Sequence, residues 1–152
     1  MDIEARLKDL NIILPVPPAP VASYVPFTIV GAQVFISGQL PLAEGKVEFT
    51  GHLGKEVSVE QGQAAARLCA INILAQLKAA CGDLNKVRRC VKLGVFIGAT
   101  PDFTQHPEVA NGASELIAAV LGEPGKHSRS SVGVASLPRR AAVEVDAVFE
   151  LA

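Results

Sequence analysis

A two-layer α/β sandwich, with strands and helices in the order β-β-α-β-α-β-β, is the fold class this sequence predicts. Three stretches carry the prediction. Ser58 to Cys81 reads as one long capped helix, and Val87 to Ile97 as one long strand. His127 to Leu151 reads as two alternating runs joined by a turn at Leu137-Pro138-Arg139-Arg140. Helical crossovers between strands place both helices on one side of a single sheet. The chain has 152 residues, 49% of them hydrophobic and 19% charged. That suits one packed domain over residues 1–152, with residues 1–20 as an N-terminal extension.

The elements follow in order. Ile3, Leu7 and Leu10 stand at helical spacing among charges, which predicts a short amphipathic helix over residues 2–10. Pro15, Pro17, Pro18 and Pro20 cannot continue it and make an extended lead-in over the surface. Residues 24–30 and 33–37 are β-rich and separated only by Gly31-Ala32, the signal of a hairpin. Gly38-Gln39-Leu40-Pro41 ends the second strand. A glycine-rich loop follows, with one short strand at Lys46–Phe49.

Ser58-Val59-Glu60-Gln61 is a capping box, in which the serine oxygen and the glutamine side chain satisfy exposed amides reciprocally. The helix runs to Cys81 with Leu68, Ile71, Leu74, Ala75 and Leu77 on its apolar stripe, and Gly82 stops it. In the long strand, Val87, Val91, Leu93, Val95 and Ile97 share one face, with Arg88, Cys90, Lys92 and Phe96 on the other. Thr100-Pro101-Asp102 makes a turn. A second helix starts near residues 104–106 and ends before Gly122, burying Val109, Ala113, Leu116, Ile117, Val120 and Leu121. Gly112 and Ala113 allow close approach to a neighbour. No helix is left to cover the second sheet face, so a homo-oligomer is expected.

Composition excludes several classes of function. Net charge is -1, and no basic run extends beyond Arg88-Arg89 and Arg139-Arg140. Nucleic-acid binding is therefore not expected, because phosphate backbones demand clustered Lys and Arg. The acidic start lacks an apolar signal region, and no stretch is expected to cross a bilayer. Three cysteines without a CxxC read as reduced thiols in a cytoplasmic protein. His52, His106 and His127 lie far apart with no metal-ligand spacing.

Among the small and β-branched residues of the last two strands, Arg129 and Glu144 stand out. One reading makes them an ion pair that fixes a hairpin. The other uses the guanidinium to grip a carboxylate with two parallel hydrogen bonds and the glutamate to hold or deprotonate a water. The residues alone leave both open.

Ser128-Arg129-Ser130-Ser131-Val132-Gly133-Val134-Ala135-Ser136-Leu137-Pro138, followed by Val143-Glu144-Val145-Asp146-Ala147, resembles the closing signature of the YjgF/RidA family. Tyr24 ahead of Ile36-Ser37-Gly38-Gln39-Leu40-Pro41 resembles that family's N-terminal motif. The likeness covers roughly residues 20–150. It implies a chorismate-mutase-like fold assembled as a trimer around a central β-barrel, with active sites between subunits. The implied activity is hydrolysis of reactive imines and enamines such as 2-aminoacrylate to 2-keto acids and ammonia, with no metal or organic cofactor. By the same resemblance Arg129 grips the substrate carboxylate and Glu144 orients or activates the water. Tyr24 lines the pocket from an adjoining subunit, the backbone at Ser131 touches ligand, and Gly38 belongs to the pocket wall. The archetype has Cys at Ser131, Glu at Gly133, Pro-Ala at His127-Ser128 and Gly-Pro at Ala22-Ser23, which marks a divergent subgroup. A non-catalytic trimer that binds small carboxylates is the alternative. RNA cleavage, assigned to some relatives, sits poorly with the charge balance, and a purely structural oligomer is a further possibility.

Overall fold

Helix α2 (Val59–Cys81) is the spine of the molecule, and its ends are where the sequence places them. Both hydrogen bonds of the Ser58 capping box form, and Gly82 takes φ 77° at the stop. The computed structural model describes residues 2–17 and 23–152. Its other elements are α1 (Ile3–Asp9), β1 (Phe27–Val30), β2 (Gln33–Gln39), β3 (Leu42–Ala43), β4 (Lys46–Val47), β5 (Val87–Gly98), α3 (His106–Leu121), β6 (Ser128–Val134) and β7 (Val143–Leu151). Single 3-10 turns precede β5, β6 and β7.

The main sheet runs β1-β2-β7-β5-β6, and α2 and α3 both lie on one side of it. The expected two layers and element order are present, preceded by α1, the short helix expected over residues 2–10, and with the small β3–β4 hairpin added. Val34, Ile36, Leu93, Val95, Ile97, Val145 and Phe149 bury their side chains toward the helices. Gly112 is the close-approach point: a Cβ there would stand 2.8 Å from the backbone carbonyl carbon of Gln63 on α2. The lead-in starts as coil after α1, whose Ile3 and Leu7 are buried, while Pro18 and Pro20 lie outside the described residues.

Four expectations need correction. The last two strands are not a hairpin. Strand β5 lies between them, parallel to β6 and antiparallel to β7, because the β5-α3-β6 crossover returns the chain on the outer side of β5. Cys90 does not sit on the uncovered face. Register irregularities on either side of it switch the alternation, and it pairs with Phe149 and is fully buried. The loop strand is only Lys46–Val47. Finally, α2 has the length and apolarity of a membrane-crossing helix. Its apolar residues, from Ala65 to Leu77, are instead spent on packing against the sheet and α3.

Candidate functional site

Strand β2 positions the first half of the site. Ile36 faces Ala147 and Gln39 faces Val145, so Ser37 and Gly38 together oppose Asp146 in a β-bulge. Ser37 Oγ donates to the Val25 carbonyl (2.7 Å), tying the segment that follows Tyr24 to this bulge. Asn72 of α2 donates to the carbonyls of Leu40 and Leu42 (3.1 Å each), fixing the chain beyond it.

Glu144 and Asp146 are two residues apart on β7 and point to the face without helices. Their cross-strand partners on β5 are Phe96 and Gly94. The carboxylate of Glu144 lies over Gly38, where a Cβ would stand 2.9 Å from Glu144 Cδ. A Cβ at Gly94 would likewise collide with the Asp146 carboxylate. These two glycines are therefore the floor on which the acids rest. Burial raises the Glu144 carboxyl above the usual glutamate range, and the charge of Asp146 raises it further. Burial also raises Asp146, against the opposing pull of the Gly94 backbone N–H and of Lys92.

Strand β6, at the other side of the sheet, supplies the second half. Arg129, Ser131 and Gly133 are in register with Leu93, Val95 and Ile97, so their side positions face the helices. Arg129 Nη1 donates to Asn111 Oδ1 (2.9 Å) and to Ser114 Oγ (3.0 Å), both on α3. Ser114 Oγ is 2.9 Å from His127 Nε2, and His127 Nδ1 is 2.6 Å from the Gly125 carbonyl. The expected departure at Gly133 has a physical reason. The His106 ring lies over it, and a Cβ there would stand 2.7 Å from His106 Nε2.

The structure therefore does not bring Arg129 and Glu144 together in one chain. They occupy opposite faces of the sheet, three residues apart along β5, and the ion-pair reading falls. Tyr24 is 56% exposed and leads into β1, the edge opposite β6. Four strand spacings, about 19 Å, separate those edges. Gly38 and Glu144 thus form one group, with Tyr24 at the β1 side of the sheet, and Arg129 and Ser131 lie on the β6 side.

Sequence reasoning missed Asn111 and Ser114 as partners of Arg129, His127 as the partner of Ser114, and Asp146 as the neighbour of Glu144. Two signals were readable: polar residues three apart on an apolar helix, and acids two apart on a strand. The thiols are poor nucleophile candidates. Burial holds Cys69 well above the usual thiol range and pushes Cys90 up to about 12. Among the described residues, no three His, Cys, Asp or Glu side chains are grouped to hold a metal.

Comparison with known proteins identifies the family. Residues 4–151 match the family described as "YjgF/chorismate mutase-like, putative endoribonuclease". Protein TCP17 of Trypanosoma cruzi is 50% identical over 150 residues, 98% of this chain and 94% of that protein. The crystal structure of Atu1372 from Agrobacterium tumefaciens, described as of unknown function, is 54% identical with a TM-score of 0.92, covering 99% of this chain and 93% of that one. RidA from the Antarctic bacterium Psychrobacter sp. PAMC 21119 is 30% identical with a TM-score of 0.62, covering 90% of this chain and 94% of that one. The chain is thus similar to RidA over nearly its whole length, though less so than to Atu1372, and it belongs to the YjgF/RidA family with the chorismate-mutase-like α/β fold.

Proposed function

We propose that the protein is a homotrimer around a central β-barrel that hydrolyses reactive 2-imino and enamine acids, such as 2-aminoacrylate, to 2-keto acids and ammonia. The observation that carries this reading is the division of the site into two halves. One chain presents Glu144 on an uncovered sheet face and Arg129 on an edge strand. Packing the edge of one subunit against the face of the next assembles a cleft containing both. The similarity to RidA supports the same reading.

In that cleft Arg129 grips the substrate carboxylate and holds the C=N carbon beside a water. Glu144 takes a proton from the water as oxygen bonds to that carbon and passes it to the imine nitrogen, giving a carbinolamine. The hydroxyl proton of the carbinolamine then moves through Glu144 to the nitrogen as the C–N bond breaks, so ammonia leaves and the carbonyl forms. A carboxyl raised by burial suits this exchange better than a fully solvated one. Tyr24 lines the cleft from the adjoining subunit, and the Ser131 backbone contacts the ligand. The test is ammonia release from freshly generated 2-aminoacrylate. The reading expects acceleration over buffer that Arg129→Ala abolishes; no acceleration, or full activity in that variant, overturns it.

The His106 ring over Gly133 and the serine at Ser131 favour a second reading, a trimer that binds small carboxylates without turnover. Tight binding of a 2-keto acid that survives Glu144→Gln, with no ammonia released, would select it. The family description also includes endoribonuclease activity. A net charge of -1 works against an RNA surface, and a ribonuclease assay on highly purified protein decides the point.

A further inference from the structure

Arg129 has five N–H donors, and the protein uses two of them. Both bonds leave from the same nitrogen: Nη1 donates to Asn111 Oδ1 at 2.9 Å and to Ser114 Oγ at 3.0 Å. Nη1 carries only two hydrogens, so it is saturated. Nε and Nη2 retain three N–H groups with no hydrogen bond or ion-pair partner among the described residues. Those two nitrogens form the side-on fork of the guanidinium, the edge that matches a carboxylate with two parallel bonds.

The direction of the Ser114 hydroxyl follows for the neutral tautomer of His127. His127 Nδ1 is 2.6 Å from the Gly125 carbonyl, which can only accept, so Nδ1 carries the hydrogen. In the neutral ring Nε2 is then an acceptor, and it stands 2.9 Å from Ser114 Oγ. The serine hydrogen therefore points at His127, leaving a lone pair for Arg129. The relay runs one way, from Arg129 to Ser114, from Ser114 to His127, and from His127 to the Gly125 backbone.

Ser114, Glu115, Ala118, Lys126, His127 and Arg129 line an open cavity of about 340 Å³ at the edge of the sheet. We infer that Asn111 and Ser114, with His127 behind Ser114, are positioning residues that hold Arg129 so that its Nε–Nη2 edge receives a planar ligand carboxylate. This rests on the proposed function and adds the groups that aim its anchor. It gives α3 a role beyond covering the sheet: residues three apart on one helix face set the orientation of a group on the neighbouring strand.

The test separates this inference from the activity it rests on, because it uses a stable 2-keto acid, pyruvate, as the binding probe. Calorimetric titration is run on the wild type, Asn111→Ala, Ser114→Ala, Ser114→Thr and Arg129→Lys. If wild-type protein neither binds pyruvate nor releases ammonia from 2-aminoacrylate, the proposed function fails, and this inference with it. If the wild type binds, Asn111→Ala and Ser114→Ala should each weaken binding about tenfold, the loss of one charged hydrogen bond. KM for 2-aminoacrylate should rise in parallel while kcat stays within about twofold. Ser114→Thr keeps the oxygen and should restore affinity. In the Arg129→Lys background, Ser114→Ala should add nothing, because an ammonium cannot use the same fork. Alanine favours a helix, so Ser114→Ala should fold. Unchanged affinity in both alanine variants, or equal loss in Ser114→Thr and Ser114→Ala, would overturn the inference.

Discussion

The two faces of the five-stranded sheet are built from alternate residues of the same strands, yet they obey different rules. On the helix face, Val145, Ala147 and Phe149 of β7 are buried among apolar neighbours. On the other face the interleaved Glu144 and Asp146 lie half-buried over Gly38 and Gly94, beside exposed Phe35 and Val132. The first face is finished by its own helices. The second combines large apolar side chains with carboxylates whose pKa values are already raised in the isolated chain. A partner surface that excludes water would raise them further. The contrast separates a face finished within the chain from the face to which the proposed subunit contact and proton transfer are assigned.

Substitutions that treat the faces alike should show how unlike they are. Phe149→Ala empties a fully buried site and should cost about 3–5 kcal/mol in chemical unfolding. Phe35→Ala, on the open face, should leave the unfolding of the separated chain nearly unchanged and instead weaken assembly in analytical ultracentrifugation. Equal destabilisation by the two would remove the distinction.

Glu144→Gln should lower kcat by about a hundredfold or more while the fold is retained, the range for a lost proton-transfer group. Gly38→Ala should cost about ten- to a hundredfold in kcat, because the new methyl displaces the Glu144 carboxylate rather than backbone. Circular dichroism should confirm that the fold survives, so the loss can be assigned to the carboxylate.

Asp146→Asn should give the smallest effect, a displacement of the acidic limb of the rate profile. In the proposed reaction Glu144 acts as a base, so the rate should fall as pH drops through its raised pKa. Removing the Asp146 charge removes one cause of that elevation, and the limb should move to lower pH. Burial, the larger cause, remains. Stability should follow the matching sign: an acid raised by folding favours the folded state at low pH, and that contribution is lost as pH rises through the folded value. Asp146→Asn should flatten this loss in unfolding curves measured from acid to neutral pH.

The fold was legible wherever one rule acted alone. The capping box and Gly82 bound α2, and Gly31-Ala32 turns β1 into β2. The order of strands in the sheet was less legible. The last two runs look like a hairpin because sequence adjacency hides the insertion of β5, a long-range choice made by the crossover through α3. Cys90 was misplaced for a related reason, since irregularities in the β5–β7 register reverse the alternation on which strand reading depends. In the candidate site Arg129 and Glu144 stand out as charges among small residues. Their placement on opposite faces does not emerge from the sequence, because it depends on both strands being paired to the same side-alternating β5.

The central claim is that a working site takes Arg129 from one subunit and Glu144 from another. Subunits carrying Arg129→Ala and subunits carrying Glu144→Gln, each nearly inactive alone, can be dissociated, mixed in equal amounts and reassembled. Random assortment then pairs an intact arginine with an intact glutamate at about one interface in four. Ammonia release from 2-aminoacrylate should accordingly recover to about a quarter of the wild-type rate. Recovery no greater than the sum of the two parents, in trimers shown by mass spectrometry to be mixed, would contradict a site shared between subunits.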